Sequence, residues 1–458
     1  MKKNIIAVFD IGKTNKKVIL FDEQLQVVFE REQIFPGLKD DDGFECDDID
    51  ALEKWMHETL EHLLHHRDYD LKALNFTTYG ATLVYLDSEG KRLTPVYNYL
   101  KPMPEGIVEP LYEAYGGEDE FSRITASPAL GMLNSGLQIL WLKKKKPDVY
   151  EKVKEILHFP QYLSYLFTGN ICSEYTSIGC HTAMWDFDHM QYHPWLGDHG
   201  IDLPEPIPND TLYSTKVSGK RIEIGIGIHD SSASLVPYIK GNNSKFILAS
   251  TGTWIINMNP FNHEPLTRQQ LEEDCLCNLS VNQERVKSSR FFMGHIHDVN
   301  VEMLASHYSV PADHYKNIKA DISLLNSMEY GLDSPMIFFK DGVPPGYKDN
   351  SVDPAQFPSY DEAYHKLMVD LTRMSNHSLD LVLAEDDESK DIFISGGFAC
   401  NEAFVRLTAT RYSEKSVYTS EVKNASALGA AIMVWKAISS GQLPDQDLGL
   451  RLWQPVTS

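Results

Sequence analysis

At 458 residues the chain is long enough for two or three domains with separate cores, and 42% hydrophobic with 23% charged residues excludes a largely disordered chain. The 42 Lys and Arg against 65 Asp and Glu give a formal net charge of -23, a field that repels nucleic acid and anionic membrane surfaces. An anionic nucleotide on such a chain needs local basic groups, backbone amides and a masking cation.

The N-terminal run carries two lysines, but Asp10 cuts its apolar core short, so no secretion signal is expected. No stretch reaches the ~18 uninterrupted apolar residues of a membrane span. Asn4 to Phe9 is predicted as a strand, Gly12 to Asn15 as a polar turn, Lys17 to Phe21 and Val27 to Gln33 as two further strands, together a β-meander. Ile49, Leu52, Met56, Leu60 and Leu63 then recur at helical spacing, with Asp47 or Asp48 as N-cap. A strand ending near Thr78 and a hairpin turning at Ser88-Glu89-Gly90 follow.

From Gly136 to Tyr165 the pattern reads as helix, with Leu137, Leu140, Trp141, Val149, Val153 and Ile156 inward and Pro147 restarting the helix. Lys143 to Lys146 reads as a solvated helix end that complements the macrodipole. β-signals resume at Ile222, and Phe246 to Asn257 reads as strand, turn, strand, an echo of the opening hairpin that suggests a duplicated architecture. Asp391 to Ser395 is a strand, Gly396-Gly397 a turn, Asn401 to Arg411 a helix, and Ser426 to about Ile438 another. Nucleotides commonly sit at the carboxyl end of such a β-turn-α unit.

Four segments carry chemistry. Asp10-Ile11-Gly12-Lys13-Thr14-Asn15 ends a buried strand in a carboxylate, suited to hydrated magnesium, and follows it with small polar residues whose amides and hydroxyls approach a phosphate. Ser250-Thr251-Gly252-Thr253 offers hydroxyls and free backbone N–H groups at a second tight turn. Gly396-Gly397-Phe398-Ala399-Cys400-Asn401 puts glycine where a nucleoside must approach the backbone. Gly227-Ile228-His229-Asp230-Ser231-Ser232-Ala233 is a strand-end carboxylate leading into a helix, placed to accept a proton from an attacking hydroxyl. Each alone is also what an ordinary turn or helix cap looks like; the combination is more specific. Six cysteines, Cys46, Cys172, Cys180, Cys275, Cys277 and Cys400, are too sparse for a disulfide scaffold and read as reduced thiols of a cytoplasmic protein. Cys275-x-Cys277 lacks the second close pair or His arrangement that zinc requires.

In order and spacing these motifs resemble the FGGY family of carbohydrate kinases, within the sugar kinase, chaperone ATPase and actin superfamily, over nearly the whole chain. VFDIGKTNKKVILFD (residues 8–22) resembles the first phosphate motif, residues 135–170 the long helical segment, GIHDSSASLVP (227–237) the catalytic segment, ILASTGTW (247–254) the second phosphate motif, ISGGFACNEAF (394–404) the adenosine motif and ASALGAAI (425–432) the helix beyond it. His229 directly before Asp230, and residues 77–90 around Gly80, are most similar to rhamnulose and fuculose kinases. The resemblance implies an α/β fold of two ribonuclease-H-like, actin-like ATPase domains with an interdomain cleft. Residues 1–244 would be the sugar-binding, catalytic domain and residues 245–458 the nucleotide-binding domain.

It further implies ATP and Mg2+, a small-molecule sugar as acceptor, no nucleic acid or membrane partner, and a monomer or homodimer. By position, Asp230 would deprotonate the sugar hydroxyl and, with Gly80 and His229, line the sugar pocket. Asp10 would position magnesium through water; Gly12, Lys13, Thr14, Asn15, Thr251, Gly252 and Thr253 would grip the phosphates; Gly396, Gly397 and Asn401 would border the nucleoside. The chain departs from the family at Lys13, where Thr or Ser is usual, across Thr94 to Met103, at Gln161, where Asp is common, and at Phe167, where Leu is common. These departures leave the sugar open among L-fuculose, L-rhamnulose, xylulose and ribulose types. Readings from other classes are a non-catalytic nucleotide switch of actin or chaperone type and a sugar-binding regulator without turnover. Asp230 with His229 discriminates against the switch, which needs phosphate motifs but no sugar base.

Overall fold

The computed structural model describes residues 2–328 and 353–456. The N-terminal segment folds as three antiparallel strands, β1 (Lys3–Ile11), β2 (Lys16–Phe21) and β3 (Val27–Gln33). Ile5 to Phe9 of β1 are all buried, the continuous apolar run that a strand covered on both faces requires. Helix α1 (Ile49–Leu64) is capped by Asp48, whose carboxylate accepts the Ala51 N–H at 2.9 Å, which leaves Asp47 free for another role. The chain returns as β4 (Tyr69–Thr78), parallel to β1.

Two expectations change in the next stretch. The turn at Ser88 to Gly90 forms, with Gly90 N–H on the Asp87 carbonyl at 3.0 Å, but its return leg contributes only the bridge Leu86 to Arg92. Strand β5 (Leu83–Leu86) pairs instead with a distant segment that the helical spacing had claimed. Helix α2 (Ser135–Lys145) and a single turn, Pro147–Tyr150, are followed by strand β6 (Glu155–His158) and helix α3 (Phe159–Thr168). Ile156 is thus buried on a strand, because four backbone pairings with β5 outweigh a local helical pattern, and Pro160 starts the next helix in its first turn. Of the lysine run, Lys143, Lys144 and Lys145 are exposed as expected, but Lys146 is partly buried over the Trp141 and Tyr97 rings and paired with Asp42 at 3.0 Å.

Short helix α4 (Tyr175–Ile178) leads to β7 (Leu212–Val217), β8 (Lys220–Gly225) and β9 (Ile228–His229), and then helix α5 (Asp230–Gly241). The first sheet runs β7-β8-β4-β1-β2-β3, with β9 continuing beside β4. The second half repeats the plan with β10 (Phe246–Thr251), β11 (Ile255–Asn259), β12 (Cys275–Leu279), β13 (Arg285–Phe291), helices α6 (Met293–Tyr308) and α7 (Tyr360–Asp380), and β14 (Asp391–Gly396). Helix α8 (Glu402–Arg411), β15 (Ser416–Thr419), helix α9 (Ala425–Val434) and β16 (Arg451–Trp453) complete it. Its sheet runs β12-β13-β11-β10-β14-β15-β16. The paths β3-β2-β1-β4-β8 and β13-β11-β10-β14-β15 are equivalent: an antiparallel meander whose first strand is joined by two parallel strands.

The final helix does not stay with its own sheet. α9 packs on the first sheet, where Ala427, Ala430 and Val434 join Ile6, Val8 and Ala73 in one cluster. The buried Asn75 amide donates to the Ala430 carbonyl at 2.8 Å and accepts the Gly227 N–H at 3.1 Å, so a polar group costly to bury is satisfied on both sides. α5 in turn sends Leu235 and Tyr238 against Phe246, Leu248 and Phe393 of the second sheet. α5 and α9 therefore lie side by side between the lobes. Among the described residues no helix is long and apolar enough to cross a membrane.

Candidate active site

The register of the first sheet collects the carboxylates. Asp10 stands opposite Thr77, and Thr77 opposite Ile228; with neighbouring strands ~4.8 Å apart, the ends of β1, β4 and β9 present Asp10, Gly80 and His229-Asp230 along one edge. Asp230 is the first residue of α5, where a carboxylate is favoured by the helix dipole. Its Oδ1 accepts the Ser231 N–H at 2.6 Å and lies 3.4 Å from His229 Nε2. Its side chain is 34% exposed, and Oδ2 has no partner among the described residues. Burial first, and then the charge of Asp230, push the Asp10 carboxyl up to about 7, against the pull of Lys17. Two carboxylates that raise one another, with oxygen ligands only, suit a hard divalent cation such as Mg2+, whose charge relieves the repulsion.

His229 is fixed from its backbone. Its N–H donates to Thr176 Oγ1 at 3.1 Å, and that hydroxyl donates to the fully buried Glu174 carboxylate. A Cβ on Gly80 would stand 2.8 Å from His229 Nε2, so only glycine lets β4 and the imidazole approach this closely. Cys180 Sγ lies 3.5 Å from the same nitrogen. Burial pushes the Cys180 thiol up, but His181 and His229 outweigh this and hold it at about 5. Burial pushes the His229 imidazole down, but Cys180, Asp230 and Glu174 outweigh this and lift it to about 9. Glu174, Thr176 and Cys180 were missed in the sequence; the segment carries no local motif and meets β9 only in the fold.

The first glycine turn is closed by the Gly12 N–H on the Asn15 carbonyl at 2.9 Å, with Thr14 and Asn15 exposed at its tip. Lys13 points elsewhere. Its amine donates to Asp47 Oδ2 at 2.7 Å and lies 5.1 and 5.5 Å from the Tyr79 and Tyr99 ring centroids. Lys16 takes the other Asp47 oxygen at 2.9 Å, and the Tyr79 hydroxyl donates to Oδ2 at 2.8 Å. Burial would raise the Asp47 carboxyl, but Lys13 and Lys16 hold it below its usual value. Burial and the charge of Asp230 raise the Tyr99 phenol, which places that ring within electrostatic reach of Asp230. Lys13 is thereby held over the rings beside the carboxylate edge.

In the second turn the Gly252 N–H donates to the Trp254 carbonyl at 2.9 Å, and Gly252 and Thr253 are exposed. The buried Thr251 hydroxyl donates to the Ser395 carbonyl at 2.5 Å and accepts the Phe398 N–H at 3.0 Å, so it welds this turn to the glycine pair. Gly396 has φ +87°, and a side chain there would collide with the Thr251 carbonyl. Gly252, Thr253, Gly397 and Asn401 line one cavity of about 540 Å³ together with His297 and Tyr364. Asn401 caps α8 through Oδ1 and donates to the Tyr364 hydroxyl at 2.9 Å. His297 and Tyr364 arrive from α6 and α7, far along the chain, and nothing local marked them.

Models of the FGGY family of carbohydrate kinases match residues 5–219 with the N-terminal domain and residues 243–442 with the C-terminal domain. A rhamnulokinase from Yersinia pestis (strain Pestoides F) is 25% identical over 302 residues, covering 63% of this chain and 61% of the relative. One from Oceanobacillus iheyensis is 25% identical over 273 residues, 56% of each. The match thus spans less than two thirds of these relatives' length. Among solved structures, a carbohydrate kinase from Novosphingobium aromaticivorans aligns with TM-score 0.82 at 24% identity, covering 100% of this chain and 95% of its own. A ligand-bound xylulose kinase from Lactobacillus acidophilus aligns at 0.75 and 14% identity, with coverage of 99% and 94%. At these identities the structures show the shared two-domain, actin-like ATPase fold.

Proposed function

The chain belongs to the FGGY family of carbohydrate kinases, and from that premise we propose that it transfers the terminal phosphoryl group of ATP to a hydroxyl of a ketose or deoxyketose, of the L-fuculose or L-rhamnulose type. The observation that carries this reading is the Asp230 carboxylate: it begins a helix, keeps one oxygen without a partner among the described residues, and shares the strand-end edge with Asp10. Asp230 accepts the proton of the attacking hydroxyl, while Gly80 and His229 bound the sugar beside it. Asp10 is the residue that would hold magnesium, through water; when bound, the ion supplies positive charge to the phosphates. The exposed amides and hydroxyls of residues 12–15 and 252–253 face the phosphates, and Gly396, Gly397 and Asn401 border the nucleoside.

The division of labour places sugar and base in residues 1–244 and nucleotide in residues 245–458. Closure of the two lobes excludes water, which would otherwise compete with the sugar for the phosphoryl group. The deoxyketose class is supported by the rhamnulokinase relatives together with the His229-Asp230 pair.

The test is ADP release across ketoses and deoxyketoses with magnesium present. Sugar-dependent release is expected, falling by about 10²–10⁴-fold in Asp230→Ala with ATP binding retained. Wild-type turnover in that variant, or ATP hydrolysis indifferent to every sugar, overturns the proposal; a preference for xylulose or ribulose replaces the sugar class and leaves Asp230 in its role.

A further inference from the structure

The buried side of the His229 ring holds more chemistry than a sugar contact needs. Around it stand Cys180 and His181 from the segment after α4, Glu174 and Thr176 from its start, His158 from the end of β6, Asp230 from α5 and Gly80 beyond β4. Nε2 is the ring's anchored atom: it lies 3.5 Å from Cys180 Sγ and 3.4 Å from Asp230 Oδ1. Nδ1 is buried without a hydrogen-bond partner among the described residues, so nothing on that side fixes the ring's rotation or its tautomer.

We propose that Cys180 is a positioning residue for phosphoryl transfer: its sulfur and the Asp230 carboxylate share the Nε2 hydrogen of His229, which keeps the donor of that ring turned to the general base. The inference rests on the reading of Asp230 as base. His181 and His229 draw the buried thiol towards thiolate, and the thiolate in turn, with Asp230 and Glu174, keeps the imidazole protonated. His158 does not compete for that charge, because burial and then His229 itself keep it neutral. Without the thiolate, His229 loses a proton at lower pH, the remaining proton is free to move to Nδ1, and Asp230 loses a fixed cationic neighbour.

The test compares wild type, Cys180→Ser and Cys180→Ala as full chains, with thermal melting to confirm folding. In Cys180→Ala the alkaline limb of the kcat profile moves to lower pH by about one unit or more, with kcat falling more than sugar KM rises. Cys180→Ser, which hydrogen-bonds but does not ionise, recovers part of kcat and keeps the displaced limb. Thiolate ultraviolet absorbance, followed against pH without any substrate, loses one component near neutral pH in Cys180→Ser. Folded Cys180 variants with the wild-type pH profile overturn the inference and leave the kinase reading intact, as does thiolate absorbance unchanged by Cys180→Ser. Absence of sugar-dependent ADP release from wild type overturns the kinase reading, and the absorbance still decides the Cys180–His229 pair.

Discussion

The two glycine-containing hairpins, β1 with β2 and β10 with β11, share a topology and differ in charge. The first ends its central strand in Asp10 and carries Lys13 and Lys16, both tied to Asp47. The second has no ionisable residue from Phe246 to Asn259; its working groups are backbone amides and hydroxyls, and Thr251 is spent on joining the turn to residues 395–398. A duplicated scaffold thus keeps its charges on the side that must hold metal and base, and leaves the other turn neutral, where a nucleotide already brings negative charge. Charged contacts in a partly buried site are worth more per group than neutral ones, so the two hairpins should respond unequally to substitution.

The largest contrast is expected at Asp10. Asp10→Asn removes the carboxylate that would hold magnesium, and turnover should fall by about 10²–10³-fold at saturating ATP. Near-normal turnover at unchanged magnesium concentration would erase the distinction between the hairpins.

A second contrast concerns acid stability. Burial, and then the nearby His229, depress the His158 imidazole from its usual value of 6.5 to about 3. The unfolded chain therefore binds a proton that the folded chain refuses between those values. The stability contributed by the neutral ring is full above pH 6.5 and is lost as pH falls towards 3. At about 1.4 kcal/mol per pH unit, urea melts should weaken by a few kcal/mol over that window, and His158→Gln should flatten the slope. His297, beside the nucleotide cavity, is pushed the same way by burial but opposed by Asp298, so His297→Gln should alter the slope less.

Lys13→Met sharpens the comparison further. With its amine on Asp47 and over Tyr79 and Tyr99, Lys13 should affect the sugar, raising sugar KM by about 10-fold while ATP KM stays within a factor of two or so. A rise confined to ATP KM would return Lys13 to the phosphates. The smallest effect is expected from Thr253→Ala, which removes one neutral hydroxyl and should raise ATP KM only several-fold, consistent with ~0.5–1.5 kcal/mol for such a bond.

What was legible in the chain was local. The turns at Gly12 to Asn15, Ser250 to Thr253 and Gly396-Gly397, the strands that enter them, and the carboxylates at 10 and 230 could all be read, because turn chemistry and apolar runs act over a few residues. The segment at 155–158 was misread as helix for the complementary reason. Its spacing is ambiguous, and the partner that makes it a strand, Leu83 to Leu86, lies about 70 residues earlier.

By itself the sequence determined that two like α/β units exist, that each opens in a hairpin with a glycine turn, and that Asp230 heads a helix. The fold alone decided that α9 crosses to the first sheet, that Asp47 draws Lys13 over two tyrosine rings, and that Cys180 lies against His229. Propensity and capping are properties of neighbours along the chain. Pairing, burial and the electrostatics they create depend on neighbours in space, which chain closure brings together and no short window contains.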